Sequence, residues 1–162
     1  MEGDFKVRIS QKGIDFITEF EGFFPSAYKD QAGIWTIGIG TIRYPNGSPV
    51  EKGDTCSLAQ AGMWLDHEIN EKCAYFNQVL GRIQWQPTQN QYDALVSFLY
   101  NVGIGKCYQG TTMGDAIHSK DIKAIANAFL IYCKYTKFGI KLTSNGLLRR
   151  RRAEKALFEE VA

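Results

Sequence analysis

Ile14, Phe16, Ile17 and Phe20 recur at helical spacing and, at about 100° per residue, form a single apolar arc. Glu21 falls inside that arc, whereas Asp15 and Glu19 lie on the opposite side. The segment WTIGIGTIRY alternates instead, with Thr36, Gly38 and Gly40 on one face and Ile37 and Ile39 on the other, and predicts a strand over residues 34–44. Its glycine face is almost bare, as expected where another backbone or a ligand approaches closely. Tyr44-Pro45-Asn46-Gly47 then reads as a hairpin turn, because Asn-Gly suits the positive φ angles such turns require.

Helical periods return after Asp54. Ser57 and Gln60 form a capping box ahead of Leu58, Leu65, Ile69, Phe76 and Leu80, which predicts a long helix over about 57–80. A second capping box, Thr88 with Gln91, opens a helix through Ala94, Leu95, Phe98, Leu99 and Val102 that Gly103 and Gly105 stop. Ile122, Ile125, Phe129 and Tyr132 predict another amphipathic helix, and Leu147 through Leu157 and Phe158 a last one. The expected fold class is α+β, mainly α. A small N-terminal β-sheet lobe (about 1–60), a long linking helix and a helical C-terminal lobe (about 81–162) make one domain over 1–162, with no repeat or linker to suggest a separate binding module.

Four consecutive arginines, Arg149 to Arg152, point in four directions on a helix and cannot make one patch. Arg150 and Glu154 fall in the apolar arc of the last helix, and Arg149 and Arg152 point out. An inward arginine needs a carboxylate. Glu154, one turn on, is a candidate partner.

Composition narrows the classes. A chain of 162 residues, 44% hydrophobic and 13% aromatic, can bury a core and does not read as disordered. Its formal charge of +2 excludes a strong nucleic-acid binder. The opening MEGDFKVRIS holds no apolar run of signal-peptide or membrane-anchor length, so stable membrane insertion is not expected. Cys56, Cys73, Cys107 and Cys133 show no metal-ligand spacing and are expected as reduced thiols. His67 and Glu71 stand one turn apart without a third ligand, so they read as a solvated face, and neither a metal nor any other cofactor is expected.

The chemistry lies in Glu21, Asp30 and Thr36, an acid, a second acid and a hydroxyl within sixteen residues. Two carboxylates and a group that holds water are what hydrolysis of a glycosidic bond requires. An apolar setting for Glu21 would disfavour its ionisation and suit a general acid. The competing reading is a buried glutamate that merely pairs with an arginine. Asp30, in KDQAG, would by itself be read as bonding its own turn.

The acid–acid–hydroxyl spacing with YKD and TIGIG, the segment NQYDALVSFLYNVGIG and the ending GLLRRRRAEKALF together resemble the phage lysozymes (endolysins) of the T4 type, lambdoid members above all. The resemblance spans nearly the whole chain. It implies a two-lobed lysozyme-like fold and a muramidase that cleaves the β-1,4 bond between N-acetylmuramic acid and N-acetylglucosamine with inversion. By the same resemblance Glu21 is the proton donor, Asp30 activates or positions water, and Thr36 holds it. The cleft it implies extends to Gly38, Gly40, Ile42, Tyr100, Asn101 and Thr112, with Arg150 and Glu154 in support and Arg150 orienting Glu21. Its partners are peptidoglycan and, functionally, a holin that releases a monomeric enzyme from the host cytoplasm to the cell wall. Many relatives carry His where this chain has Thr41, a difference expected to bear on stability rather than chemistry. A lytic transglycosylase, which would leave Asp30 and Thr36 unexplained, and a non-catalytic wall binder are the alternatives.

Overall fold

The computed structural model describes residues 7–161; the first six residues of the polar N-terminal stretch lie outside it. Among the described residues, six α-helices and two small antiparallel sheets make up a mainly helical lysozyme fold. Helix α1 (Gln11–Glu21) starts at Ser10, whose Oγ accepts from the Gly13 amide at 3.2 Å. Although N-terminal, α1 packs on the helical lobe, because the buried Asp93 accepts from both the amide (3.0 Å) and the hydroxyl of Ser10.

Strands β1 (Phe24–Lys29) and β2 (Trp35–Gly38) pair antiparallel, with Tyr28 opposite Thr36 and Lys29 opposite Trp35. β1 did not show in the sequence pattern, and the strand expected over 34–44 ends early. Gly38 and Gly40 take φ of 65° and 75°, and Ile37 and Thr41 exchange both backbone hydrogen bonds, so the chain folds back on itself there. A turn is present at Tyr44–Gly47, but Pro45 and Asn46 are its central residues: the Gly47 amide donates to the Tyr44 carbonyl at 2.8 Å, and of the Asn-Gly pair only Gly47 has positive φ (86°).

Helix α2 (Leu58–Ile83) runs 26 residues, about 39 Å at 1.5 Å per residue, three residues beyond the expected end. Both predicted capping boxes form, Ser57 with Gln60 and Thr88 with Gln91. Leu65, Ile69, Phe76 and Leu80 are buried as the period requires. Leu58 is not; it sits in the first turn, ahead of the packed stretch, and is 61% exposed.

Helix α3 (Gln89–Val102) is the core of the helical lobe, buried without interruption from Tyr92 to Tyr100. A helix buried all round must satisfy its polar side chains internally, and Asp93 and Ser97 do so through Ser10 and Glu154. Around it pack α4 (Thr112–Ser119), α5 (Ile122–Phe129) and α6 (Asn145–Glu159), with Phe98 meeting Phe129 edge-on at 5.4 Å between ring centroids. Ile125 and Phe129 are core residues, but Ile122 is exposed and Tyr132 lies past the end of α5. Between α5 and α6 stands a hairpin absent from the sequence reading, β3 (Lys134–Lys137) with β4 (Ile140–Thr143). Among the described residues no helix is long and apolar enough to cross a membrane.

Candidate active site

Glu21 is the last residue of α1, and the chain leaves the helix at Gly22 with φ 68°. One carboxylate oxygen contacts Arg150 Nη1 of α6. The other faces Gly40, where a Cβ would lie only 2.6 Å from it. The apolar pocket expected for Glu21 is therefore replaced by a guanidinium and a bare backbone. The cause is position, since at the helix end the side chain projects past Ile17 toward α6 rather than into the hydrocarbon beneath α1.

The guanidinium is itself held from three sides. Arg150 Nε donates to Glu154 Oε1 at 3.1 Å, and Nη2 donates to the Ser97 carbonyl at 3.2 Å. Ser97 Oγ donates to the same Glu154 oxygen at 2.8 Å. Both partners foreseen for Arg150 are engaged at once.

Arg151 was not foreseen. Its side chain is 0% exposed, its Nε lies 3.1 Å from Glu154 Oε2 without hydrogen-bond alignment, and Nη2 donates to Asn101 Oδ1. The ring of Phe98 lies under its guanidinium, 5.1 Å from centroid to Cζ. Burial pushes the Arg151 pKa down to about 10, against the pull of Glu154. Complete burial likewise pushes the Glu154 carboxyl up, opposed by Arg151 and Arg150.

Asp30 closes a turn of its own. Its Oδ1 accepts from the amides of Ala32 (2.8 Å) and Ile34 (2.9 Å), while its amide donates to the Ile34 carbonyl at 2.9 Å. Among the described residues Oδ2 takes no hydrogen bond, so the turn leaves one oxygen free. Thr36 Oγ1 donates to that same Ile34 carbonyl at 3.1 Å. Asp30 and Thr36 are thus tied to one residue, the Asp30 carboxylate through the Ile34 amide and Thr36 through the Ile34 carbonyl, and the Thr36 hydroxyl, its proton engaged, has only acceptor capacity left.

Tyr28, across the sheet from Thr36, lies within the field of both acids. Its pKa is raised by burial first, then by the negative charges of Glu21 and Asp30. Its position in the YKD segment, two residues before Asp30, was the signal available for it.

The implied cleft residues divide. Ile42, Asn101 and Thr112 are exposed. Tyr100 is buried, and its hydroxyl donates to the Ile39 carbonyl at 2.8 Å, so its polar end is engaged in joining the lobes rather than free for a ligand. Gly38 is also buried, and a Cβ there would meet the Ala61 Cβ at 2.9 Å. The close approach that its bareness signalled is made by α2, not by a sugar. Thr41 is buried, and its hydroxyl has no partner among the described residues. His67 and Glu71 form an exposed 3.7 Å pair, and no cluster of potential metal ligands occurs among the described residues. A separate groove of about 440 Å³, lined by Tyr44, Asp54, Gln60 and Trp64 among others, contains none of the catalytic candidates.

The model of the Phage lysozyme family matches residues 18–154, from α1 to Glu154. The chain belongs to the phage lysozyme family. It is 33% identical over 155 residues to an endolysin of Acyrthosiphon pisum secondary endosymbiont phage 1, covering 96% of this chain and 100% of that one. Among solved structures, the endolysin from Escherichia coli O157:H7 phage FAHEc1 superposes with a TM-score of 0.83 at 39% identity, over 95% of this chain and 94% of that one. The muramidase domain of SpmX from Asticaccaulis excentricus reaches a TM-score of 0.81 at 27% identity, over 96% and 100%. As a phage lysozyme the protein is a glycoside hydrolase.

Proposed function

We propose that this phage lysozyme is an endolysin that hydrolyses the β-1,4 bond after N-acetylmuramic acid in peptidoglycan with inversion. The observation that carries the mechanism is the shared anchoring of Asp30 and Thr36 on Ile34, through its amide and its carbonyl respectively, with one carboxylate oxygen left free. A water that donates one proton to Asp30 Oδ2 and the other to Thr36 Oγ1 turns a lone pair outward, toward an anomeric carbon. Asp30 removes a proton as the water attacks, and Glu21 gives one to the departing glycosidic oxygen. Arg150 fixes the direction of the Glu21 carboxyl, and Gly40 leaves room beside it. Ile42, Asn101 and Thr112, all exposed, offer contacts to sugars on either side of the scissile bond.

Endolysin and muramidase names among the relatives support the substrate. In this reading the chain works as a single monomeric domain, stored in the host cytoplasm and released to the wall through a holin.

The test is digestion of purified peptidoglycan by the native protein and by Glu21→Gln and Asp30→Asn, with the new sugar ends identified by mass spectrometry. Reducing N-acetylmuramic ends that disappear with either substitution are expected. Anhydromuramic ends that are indifferent to Asp30 would mean a transglycosylase, and no new ends would mean a wall binder.

A further inference from the structure

Between Asp121 and Glu154 the chain carries eight basic residues and no acidic one. The β3–β4 hairpin stands in the middle of this stretch. Cross-strand pairing puts Tyr135 with Leu142 and Lys137 with Ile140 on one face, and Lys134 with Thr143 and Thr136 with Lys141 on the other. The first face emerges progressively from the protein: Tyr135 is half-buried, Leu142 is 40% exposed, Ile140 63% and Phe138, at the tip, 92%. Among the described residues this apolar ridge meets no apolar partner at its tip, where only the Lys137 ammonium stands over the Phe138 ring, 5.7 Å from its centroid.

The tip is also expensive to build. Phe138 has φ 50° and Gly139 φ 76°, so both turn positions lie in the left-handed region that a two-residue hairpin of this kind demands. Asn or Gly fills the first of these positions with little strain, whereas a bulky aromatic does not. A phenylalanine that is both strained and solvated adds little apolar burial to the fold, and departures of this kind from local rules are expected at functional positions.

We propose that the β3–β4 hairpin docks this lysozyme tip-first onto an anionic phospholipid surface, with Phe138, Ile140 and Leu142 entering the lipid interface and the two lysines beside the tip, Lys137 on the same face and Lys141 on the other, reaching the headgroups. Charge complementarity selects an anionic partner. A second copy is disfavoured, because the cationic hairpin repels itself and edge lysines oppose strand pairing. An anionic wall polymer would match the lysines but leave the aliphatic ridge in water, whereas a bilayer takes both. The attachment is peripheral and independent of which bond the active site cleaves.

The experiment measures co-sedimentation of the full chain with vesicles of phosphatidylglycerol and phosphatidylethanolamine, with pure phosphatidylcholine vesicles and with insoluble peptidoglycan. Alongside it, thermal unfolding and sedimentation equilibrium are recorded for each variant. Phe138→Asn is expected to raise the unfolding midpoint, since it relieves the turn, yet to weaken binding to the anionic vesicles about tenfold through the lost apolar burial. Lys137→Gln and Lys141→Gln should each weaken it about fivefold, at about 1 kcal/mol per lysine. Binding of phosphatidylcholine should be slight, and salt should weaken binding to the anionic vesicles. No binding to the anionic vesicles, equal binding by Phe138→Asn, retention by peptidoglycan alone, or a dimer that Phe138→Asn dissolves would each overturn the proposal.

Discussion

Glu154→Gln isolates the energetics of the buried charges behind the active site. Glu154 and Arg151 both have side chains 0% exposed, and Arg150 is 5% exposed. The substitution keeps the volume and leaves an amide oxygen to accept from Ser97, but it removes the carboxylate that two guanidinium groups share. Arg150 still has Glu21. Arg151 keeps only the Asn101 amide oxygen and the Phe98 ring. Leaving a buried charge without its counter-ion costs about 3–5 kcal/mol, and at about 2–4 °C per kcal/mol for a chain of this size the midpoint should fall by roughly 10 °C. Urea denaturation followed by circular dichroism measures the loss. The double variant Glu154→Gln with Arg151→Met should recover most of it, because the orphaned charge is then gone as well. A single variant within about 1 kcal/mol of the native protein, or a double variant no better than the single one, would refute the argument.

Gly40→Ala would bring a methyl group 2.6 Å from Glu21 Oε2 on a backbone with φ 75°. We expect a stability loss of about 1–2 kcal/mol and, in a turbidity assay on cell walls, a fall in activity of more than about a hundredfold from displacement of the acid; undiminished activity would contradict the close packing. Burial pushes the Cys107 thiol from 9.0 up to about 11. The folded state therefore keeps a proton that the unfolded state releases, so stability should decline as pH climbs through that interval. Cys107→Ala should flatten this part of the urea-denaturation profile, and an unchanged slope would show that another group sets it.

The parts of the fold visible in the sequence are those with a repeated period or a specific end signal. Capping boxes at Ser57 and Thr88 announced α2 and α3 because their side-chain bonds are local, and Leu65, Ile69, Phe76 and Leu80 recur often enough to define a face. β3 and β4 were missed because four-residue strands hold too little alternation, and Phe138-Gly139 is not a usual turn pair. Gly38 and Gly40 were legible as sites of close approach, but the sequence could not say by what. The answers, Ala61 and Glu21, lie 23 and 19 residues away along the chain. Arg150 and Glu154 were assigned inward by period, whereas Arg151 sits at the edge of the same arc, where only the packing of Phe98 and Asn101 decides.

The contact between Glu21 and Arg150 joins positions 129 residues apart. During synthesis, the Asp30 turn emerges early and needs only its own neighbours, and β1 and β2 need nothing beyond residues 54–61, against which they bond and pack. Glu21 waits for α6, since Arg150 and its partner Glu154 follow it by 129 and 133 residues along the chain. A nascent chain that lacks α6 therefore holds the Asp30 turn but not the contact between Glu21 and Arg150, and under the proposed mechanism it would lack a fixed proton donor until α6 is made.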